Sequence, residues 1–304
     1  MSAAGLEPRG PLGGAAGGRR LSSPWRLLGA TVLCLGVLCS TAAAQQPPPD
    51  TGKDDQEIQK AGPVDPYTGG DAAVMQAAGI VGYGTMPWAD HMPTADIEKV
   101  LGERRILWLE TTHFRIGSAL KSMGWPETPP KRKALQADIK ELRKRLRKVP
   151  EKPKRIDPWL RLHLYAQLAE THYDKFQKLL GVTDADFPAR GPGPREGAFL
   201  GQPDKFLILL FQKKSDMARY MDRFCGLQAD ASIRYCHQKT HQMVACISAE
   251  GLEGFDDIAL RGHVTYALMH NLMSGYNGFH YQLPLWFSEG IAHWYSRQIP
   301  SDNV

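Results

Sequence analysis

The sequence has no internal repeat, few cysteines and only one long apolar run. The lack of a repeat excludes solenoid and propeller architectures, and 304 residues are enough for one large domain or two modest ones. The apolar run, Leu27 to Leu38, is too short to cross a bilayer as a helix. No later segment is longer and equally apolar, so the sequence predicts no membrane span after this run.

The first 44 residues have the order of features of a secretory signal peptide. Arg19, Arg20 and Arg26 form a basic region ahead of the apolar run, and Ala42 and Ala44 follow it as small residues of the A-x-A type. We therefore predict cleavage after Ala44 and an exported product that is periplasmic, envelope-associated or extracellular. An uncleaved membrane anchor is the alternative.

Charge is distributed unevenly along the chain. Residues 1–44 hold four Arg and one Glu, so their removal lowers the net charge from +5 to about +2. Residues 131–155 hold twelve basic and three acidic residues, a net charge of +9. We interpret this stretch as a solvated helix face, with binding to an acidic surface as the alternative. No aromatic residue interleaves the charges, so we expect no nucleic-acid partner, and we do not expect a membrane surface to be one.

Apolar spacing predicts a helix-rich α+β fold with a small mixed β-sheet. Residues 45–70 are polar and proline-rich and residues 71–95 have no clear pattern, so we predict a disordered or poorly ordered linker over 45–95 and one domain over 96–304. Strands are expected at Ile106–Leu109, Phe114–Ile116, Phe206–Phe211 and Met243–Ile247. Helices are expected over 131–148, 157–181, 215–224, 256–273 and 285–299, with Asp157 and Ser215 as N-caps and Gly181 as a C-terminal stop.

The last expected helix carries the most specific signal. Residues 283–295 read LPLWFSEGIAHWY. This segment resembles the P-x-W-x-x-E-G-x-A helix of gluzincin zinc metallopeptidases of the peptidase MA-like group, and ETTHFRI at 110–116 is similar to the strand that opens such domains. The resemblance covers roughly residues 105–299. It implies gluzincin-like active-site helices, with Glu289 at the position of the third zinc ligand.

A gluzincin needs H-E-x-x-H on the preceding helix. Two His one turn apart bind the zinc, and the Glu takes a proton from the zinc-bound water. Here the helix reads GHVTYAL over 262–268. In the register that matches H-E-x-T-H-A-L best, Gly262 replaces the first His, His263 replaces the Glu and Tyr266 replaces the second His.

A second register would begin at His263 and would put Val264 at the Glu position and Ala267 at the second His. Both registers lose the general base and the His pair. His263 and His270 share a helix face but are seven residues apart, about 10 Å along the axis, so they cannot chelate one ion. The resemblance therefore implies a degenerate site.

Other roles for the surviving residues remain open. Glu289 is a relic ligand or a structural acid held by a neighbouring hydroxyl, and His293 stands where the family often has an acid that braces a zinc-bound His. His263, Tyr266, Glu289 and His293 could instead form a rebuilt zinc site. The family usually continues into a further subdomain after this helix, so we expect the domain to be shortened or to lack that lobe.

Three cysteines follow the expected cleavage point: Cys225, Cys236 and Cys246. Their spacing to the nearby His residues fits no common zinc pattern. A disulfide between Cys225 and Cys236 is the candidate, with free thiols as the alternative.

Three functions follow. The first is an exported, non-catalytic metallopeptidase-like domain that acts in binding or scaffolding, without cofactor and with a protein or peptide ligand. The second is an active zinc metallopeptidase with a rebuilt metal site. The third is an envelope-surface module that uses the basic helix.

Overall fold

The computed structural model describes residue 58 and residues 60–88, 92–102, 104–187, 197–229, 231–237, 240–252, 257–279 and 281–299. The expected signal peptide over 1–44 lies outside these residues. Among the helices that they form, none has the length and apolarity to cross a membrane.

The described residues form an α+β fold. The helices are α1 (Ala72–Ala77), α2 (Ala95–Val100), α3 (Pro129–Arg145), α4 (Pro158–Leu180), α5 (Lys214–Tyr220), α6 (Asp257–Asn277) and α7 (Leu285–Ser296). The strands are β1 (Ile80–Tyr83), β2 (Pro87–Trp88), β3 (Met92–Pro93), β4 (Leu107–Thr111), β5 (Phe114–Ser118), β6 (Phe206–Phe211), β7 (Ile233–His237) and β8 (Gln242–Ser248).

Six strands make one mixed sheet in the order β1-β4-β5-β6-β8-β7. The pairs β5–β6 and β6–β8 are parallel, and the other three pairs are antiparallel. Every residue of β6 is buried. Phe206, Ile208 and Leu210 belong to the core cluster that includes α4 and α6, and the residues between them belong to the cluster that includes α2 and α5. Burial on both faces explains the continuous apolar run.

Helix α4 agrees with its sequence signals. The Asp157 carboxylate accepts a hydrogen bond from the backbone N–H of Leu160 at 3.0 Å, which caps the helix. Gly181 ends it in the left-handed region with φ of 69°. The expected helix at 131–148 is confirmed as α3, whose Leu135, Ile139 and Leu142 are buried.

The linker prediction is wrong for the described part of residues 45–95. Strand β1 forms an edge of the sheet, and Asp65 is buried. The Asp65 carboxylate accepts from the hydroxyls of Thr68 and Tyr83, both at 2.7 Å, and lies 3.1 Å from His163 Nε2 on α4. We call this group of four residues the Asp65 cluster. Hydrogen bonds around one carboxylate, together with irregularly spaced buried side chains such as Ile80 and Trp88, hold the segment, so its order does not depend on an apolar period.

The candidate disulfide between Cys225 and Cys236 is also wrong. All three described cysteines are free thiols. Cys236 belongs to the core cluster on the α4–α6 face of the sheet, whereas Cys225 packs against the cluster on the opposite face. Cys236 lies on β7 and Cys225 in the helical turn that follows α5, and the sheet separates the two sulfurs.

Ser215 does not cap α5. The helix begins one residue earlier, at Lys214, and its N-cap is Lys213, which makes no side-chain cap hydrogen bond. The backbone N–H of Lys214 instead donates to the Glu250 carboxylate at 2.7 Å. A distant acid replaces the local cap that the sequence predicts.

Candidate functional site

Buried charges fix the start of α6. The Asp257 carboxylate accepts from the Arg161 guanidinium at 2.6 Å and from the Tyr165 hydroxyl at 3.0 Å, and both donors lie on α4. Arg261, one turn later, pairs with Asp138 of α3 at 2.6 Å. These bonds hold the helix that carries residues 262–270 in a defined position.

Helix α7 buries only one narrow stripe against α6 and α4. Ala292 is fully buried, and Ile291 and Tyr295 pack against the core from partly buried positions. Trp286 is 78% exposed. The outer face of α7 therefore presents a large apolar side chain to solvent.

Glu289 is the centre of the site. Its Oε2 accepts a hydrogen bond from the Tyr266 hydroxyl at 2.7 Å. His270 Nε2 lies 3.5 Å from Oε1, and His293 Nε2 lies 3.7 Å from Oε2. The glutamate side chain keeps 35% of its surface exposed, so the carboxylate still faces solvent.

The protonation states follow from these contacts. The Tyr266 hydroxyl holds the pKa of Glu289 below its usual value, and His270 and His293 lower it further. Burial, together with the glutamate, raises the pKa of Tyr266. Burial lowers the pKa of His270. At neutral pH the site therefore holds a carboxylate, a phenol and a neutral imidazole.

The sequence-predicted residues divide into two groups. Tyr266, Glu289 and His293 come together, whereas His263 is exposed and makes no described contact with the glutamate. Gly262 faces the end of α7, since a Cβ at this position would meet Ser296 O at 3.8 Å. Positions 262 and 266 thus both face α7, one turn apart.

Sequence reasoning missed two residues of the site. His270 is four residues after Tyr266 and shares its helix face, and this i, i+4 spacing is a sequence signal that places the two side chains together. Arg234 lies on β7, a half-exposed strand that apolar spacing did not reveal. Its NH1 donates to Asn271 Oδ1 on α6 at 3.3 Å.

The residues present do not fit a gluzincin zinc ion. Gly262 offers no ligand atom, and the Tyr266 hydroxyl is a protonated donor already bonded to Glu289. Across the described part of the chain, no group of three His, Cys, Asp or Glu side chains is placed to hold a metal ion.

A groove of about 840 Å³ opens beside Glu289. Its lining combines charge with apolar surface and includes Arg234, His270, Met273, Phe279, Tyr281 and Glu289. Strand β7 borders it and is an edge of the sheet, paired only with β8 among the described strands.

Comparisons complete the description of the site. No protein-family model, curated protein or solved structure matches this chain.

Proposed function

We propose that this protein is an exported, non-catalytic metallopeptidase-like domain that binds a peptide segment in the groove beside Glu289. The observation that carries the proposal is the 2.7 Å hydrogen bond from Tyr266 to Glu289. In the family that the sequence resembles, the equivalent of Glu289 binds zinc and the equivalent of Tyr266 is a His ligand. In this protein the two residues form a hydrogen bond with each other in place of binding zinc.

The same residues argue against peptide hydrolysis. Hydrolysis needs a base to take a proton from the attacking water. The family's base position holds His263, which is exposed and makes no described contact with Glu289. Glu289 itself keeps a low pKa because Tyr266 donates to it, which makes it a weak base.

The surface around the groove supports binding. Tyr281, Leu285 and Trp286 are each more than 60% exposed and lie in the linker before α7 and in its first turn. Contiguous exposed apolar side chains mark interaction sites more often than inert surface. An extended peptide can also add to a strand edge through backbone hydrogen bonds, and β7 has β8 as its only partner among the described strands.

Metal content tests the non-catalytic part. We expect the purified mature protein to carry no stoichiometric zinc and to hydrolyse no peptide. The variant Gly262→His, His263→Glu, Tyr266→His should gain one zinc, because a Cβ at position 262 makes only ordinary van der Waals contact and Glu289 is freed from Tyr266. Adding Glu289→Ala to this triple variant is the matched control and should remove the metal again.

Other outcomes are equally informative. Zinc in the parent protein that is released by Glu289→Ala or His293→Ala establishes the rebuilt metallopeptidase site and overturns the proposal. Absence of zinc from both the parent and the triple variant shows that the helix register, or the resemblance itself, is wrong. Elemental analysis after gel filtration distinguishes these results.

A further inference from the structure

Arg234 is a cation in the groove that forms no salt bridge with a described residue, although it feels the charge of Glu289 across the groove. Of its five N–H donors, the described bond to the neutral Asn271 side chain uses one. No carboxylate of the described residues lies within 4.0 Å of it. Burial lowers the pKa of Arg234, which means that its charge is held at a desolvation cost.

His270 offers a second unsatisfied group in the same groove. The residue is only 5% exposed, and its Nε2 has no hydrogen-bond partner in the described part of the chain. The 3.5 Å distance to Glu289 Oε1 is too long for a good hydrogen bond. Buried polar atoms are normally paired, so this nitrogen points to a ligand atom that completes the site.

The balance of charge selects the ligand. Arg234 suits a planar, singly charged carboxylate, which it can bind through two parallel N–H bonds. Glu289 lines the same groove and repels a doubly charged phosphate more strongly than a singly charged carboxylate, while its carboxylate oxygens can accept an N–H. Phe279, Tyr281 and Leu283 supply apolar surface beside these two charges.

We propose that the groove binds a peptide carboxylate, with the carboxylate on Arg234, a neighbouring backbone N–H on Glu289 and an apolar side chain among Phe279, Tyr281 and Leu283. This inference rests on the proposed function and names its ligand chemistry. The carboxylate belongs either to the peptide's C-terminus or to an acidic side chain. His270 Nε2 contributes a further hydrogen bond to the bound peptide.

The test is a binding titration of the mature chain with three matched peptide forms. The first is a hexapeptide ending in Leu with a free carboxyl group, the second is its C-terminal amide, and the third is the amide with one internal Asp. We expect the free acid to bind at least about tenfold more tightly than the plain amide. Arg234→Gln should remove this preference, Arg234→Lys should restore part of it, and the exposed Arg297→Gln should change nothing.

The remaining outcomes separate the two proposals. Tight binding of the Asp amide that depends on Arg234 assigns the carboxylate to a side chain. Equal binding of all three forms, or binding unaffected by Arg234→Gln in a variant with parental melting temperature, overturns the carboxylate inference and leaves peptide binding standing. Failure of every form to bind overturns both the inference and the peptide-binding function.

Discussion

At the scale of single residues, Gly117 illustrates a constraint that only the structure reveals. It lies on β5 opposite Trp108 of β4. A Cβ at position 117 would come within 2.4 Å of the Trp108 ring. The ring cannot easily move away, because its Nε1 donates to Glu98 at 3.3 Å and the side chain is buried.

We predict that Gly117→Ala lowers the free energy of unfolding by about 1–3 kcal/mol through overpacking. Gly124→Ala is the matched control, because nothing lies within 4 Å of its Cβ position and its φ is not positive. Urea unfolding of the two variants measures the difference. Equal urea midpoints for the two variants would contradict the prediction, because they would show that β4 and β5 accommodate the added methyl group without loss of stability.

Individual residues of the site differ in how far the sequence predicts them. Tyr266 and Glu289 could be paired from the sequence because a family-like register aligns them. The exposure of Trp286 could not be predicted, because the motif places the residue on α7 but does not say whether another element covers its side chain. Arg234 lies on β7, which pairs with the neighbouring strand β8, but its contact with Asn271 of α6 joins positions 37 apart in the chain, and no local pattern encodes that contact.

At the scale of elements, α4 buries a histidine that must stay neutral. His172 is 3% exposed, and its Nδ1 donates to the Leu168 carbonyl at 2.9 Å. Burial lowers the pKa of His172 from 6.5 to about 4. The unfolded chain therefore takes up a proton at a higher pH than the folded protein does.

The folded-state pKa is depressed, so the stability linked to His172 is full above about pH 6.5 and is lost as pH falls towards 4. The loss amounts to roughly 3 kcal/mol at the acidic end, since each pKa unit corresponds to about 1.4 kcal/mol. His172→Phe should remove this component. The difference in unfolding free energy between parent and variant, measured from about pH 7 to about pH 4, should change by that amount; a constant difference contradicts the prediction.

Elements differ in how far the sequence predicts them. Helix α4 has an Asp cap, a proline in its first turn and a terminal glycine, so local signals define both ends. Strands β1 and β7 lie at the two edges of the sheet, and neither is a continuous apolar run. The formation of an edge strand depends on the neighbouring strand more than on its own residues, and the sequence pattern therefore does not predict β1 or β7.

At the scale of the whole molecule, the Asp65 cluster joins the segment before Asp96 to the domain. Burial opposes its ionisation, but hydrogen bonding and charge from His163, with Thr68 and the Tyr67 N–H, hold the pKa of Asp65 far below its usual value. The carboxylate is therefore a strongly stabilised anion. The domain boundary expected at residue 96 would cut this anchor away.

We predict that a fragment over 96–304 is less stable than one over 45–304. It loses β1, which leaves the β4 edge unpaired, and it leaves the buried His163 without its carboxylate. Thermal unfolding and gel filtration of the two fragments test this. Equal melting temperatures and equal monomer content would contradict the prediction and show that residues 45–95 do not contribute to the stability of the domain.

The parallel pairing of β5 with β6 governs the order in which the chain can fold. The register partners Phe114 and Phe206 are 92 positions apart, and α3 and α4 lie between them. Closing so long a loop costs entropy before any strand contact compensates for it. The antiparallel pair β4–β5 has near neighbours and can form early, whereas β6 and β8 must wait for the crossover. We therefore expect the pairing of β5 with β6 to be the slow step of folding, and the apolar strand β6 to be open to association with other chains until this pairing is complete.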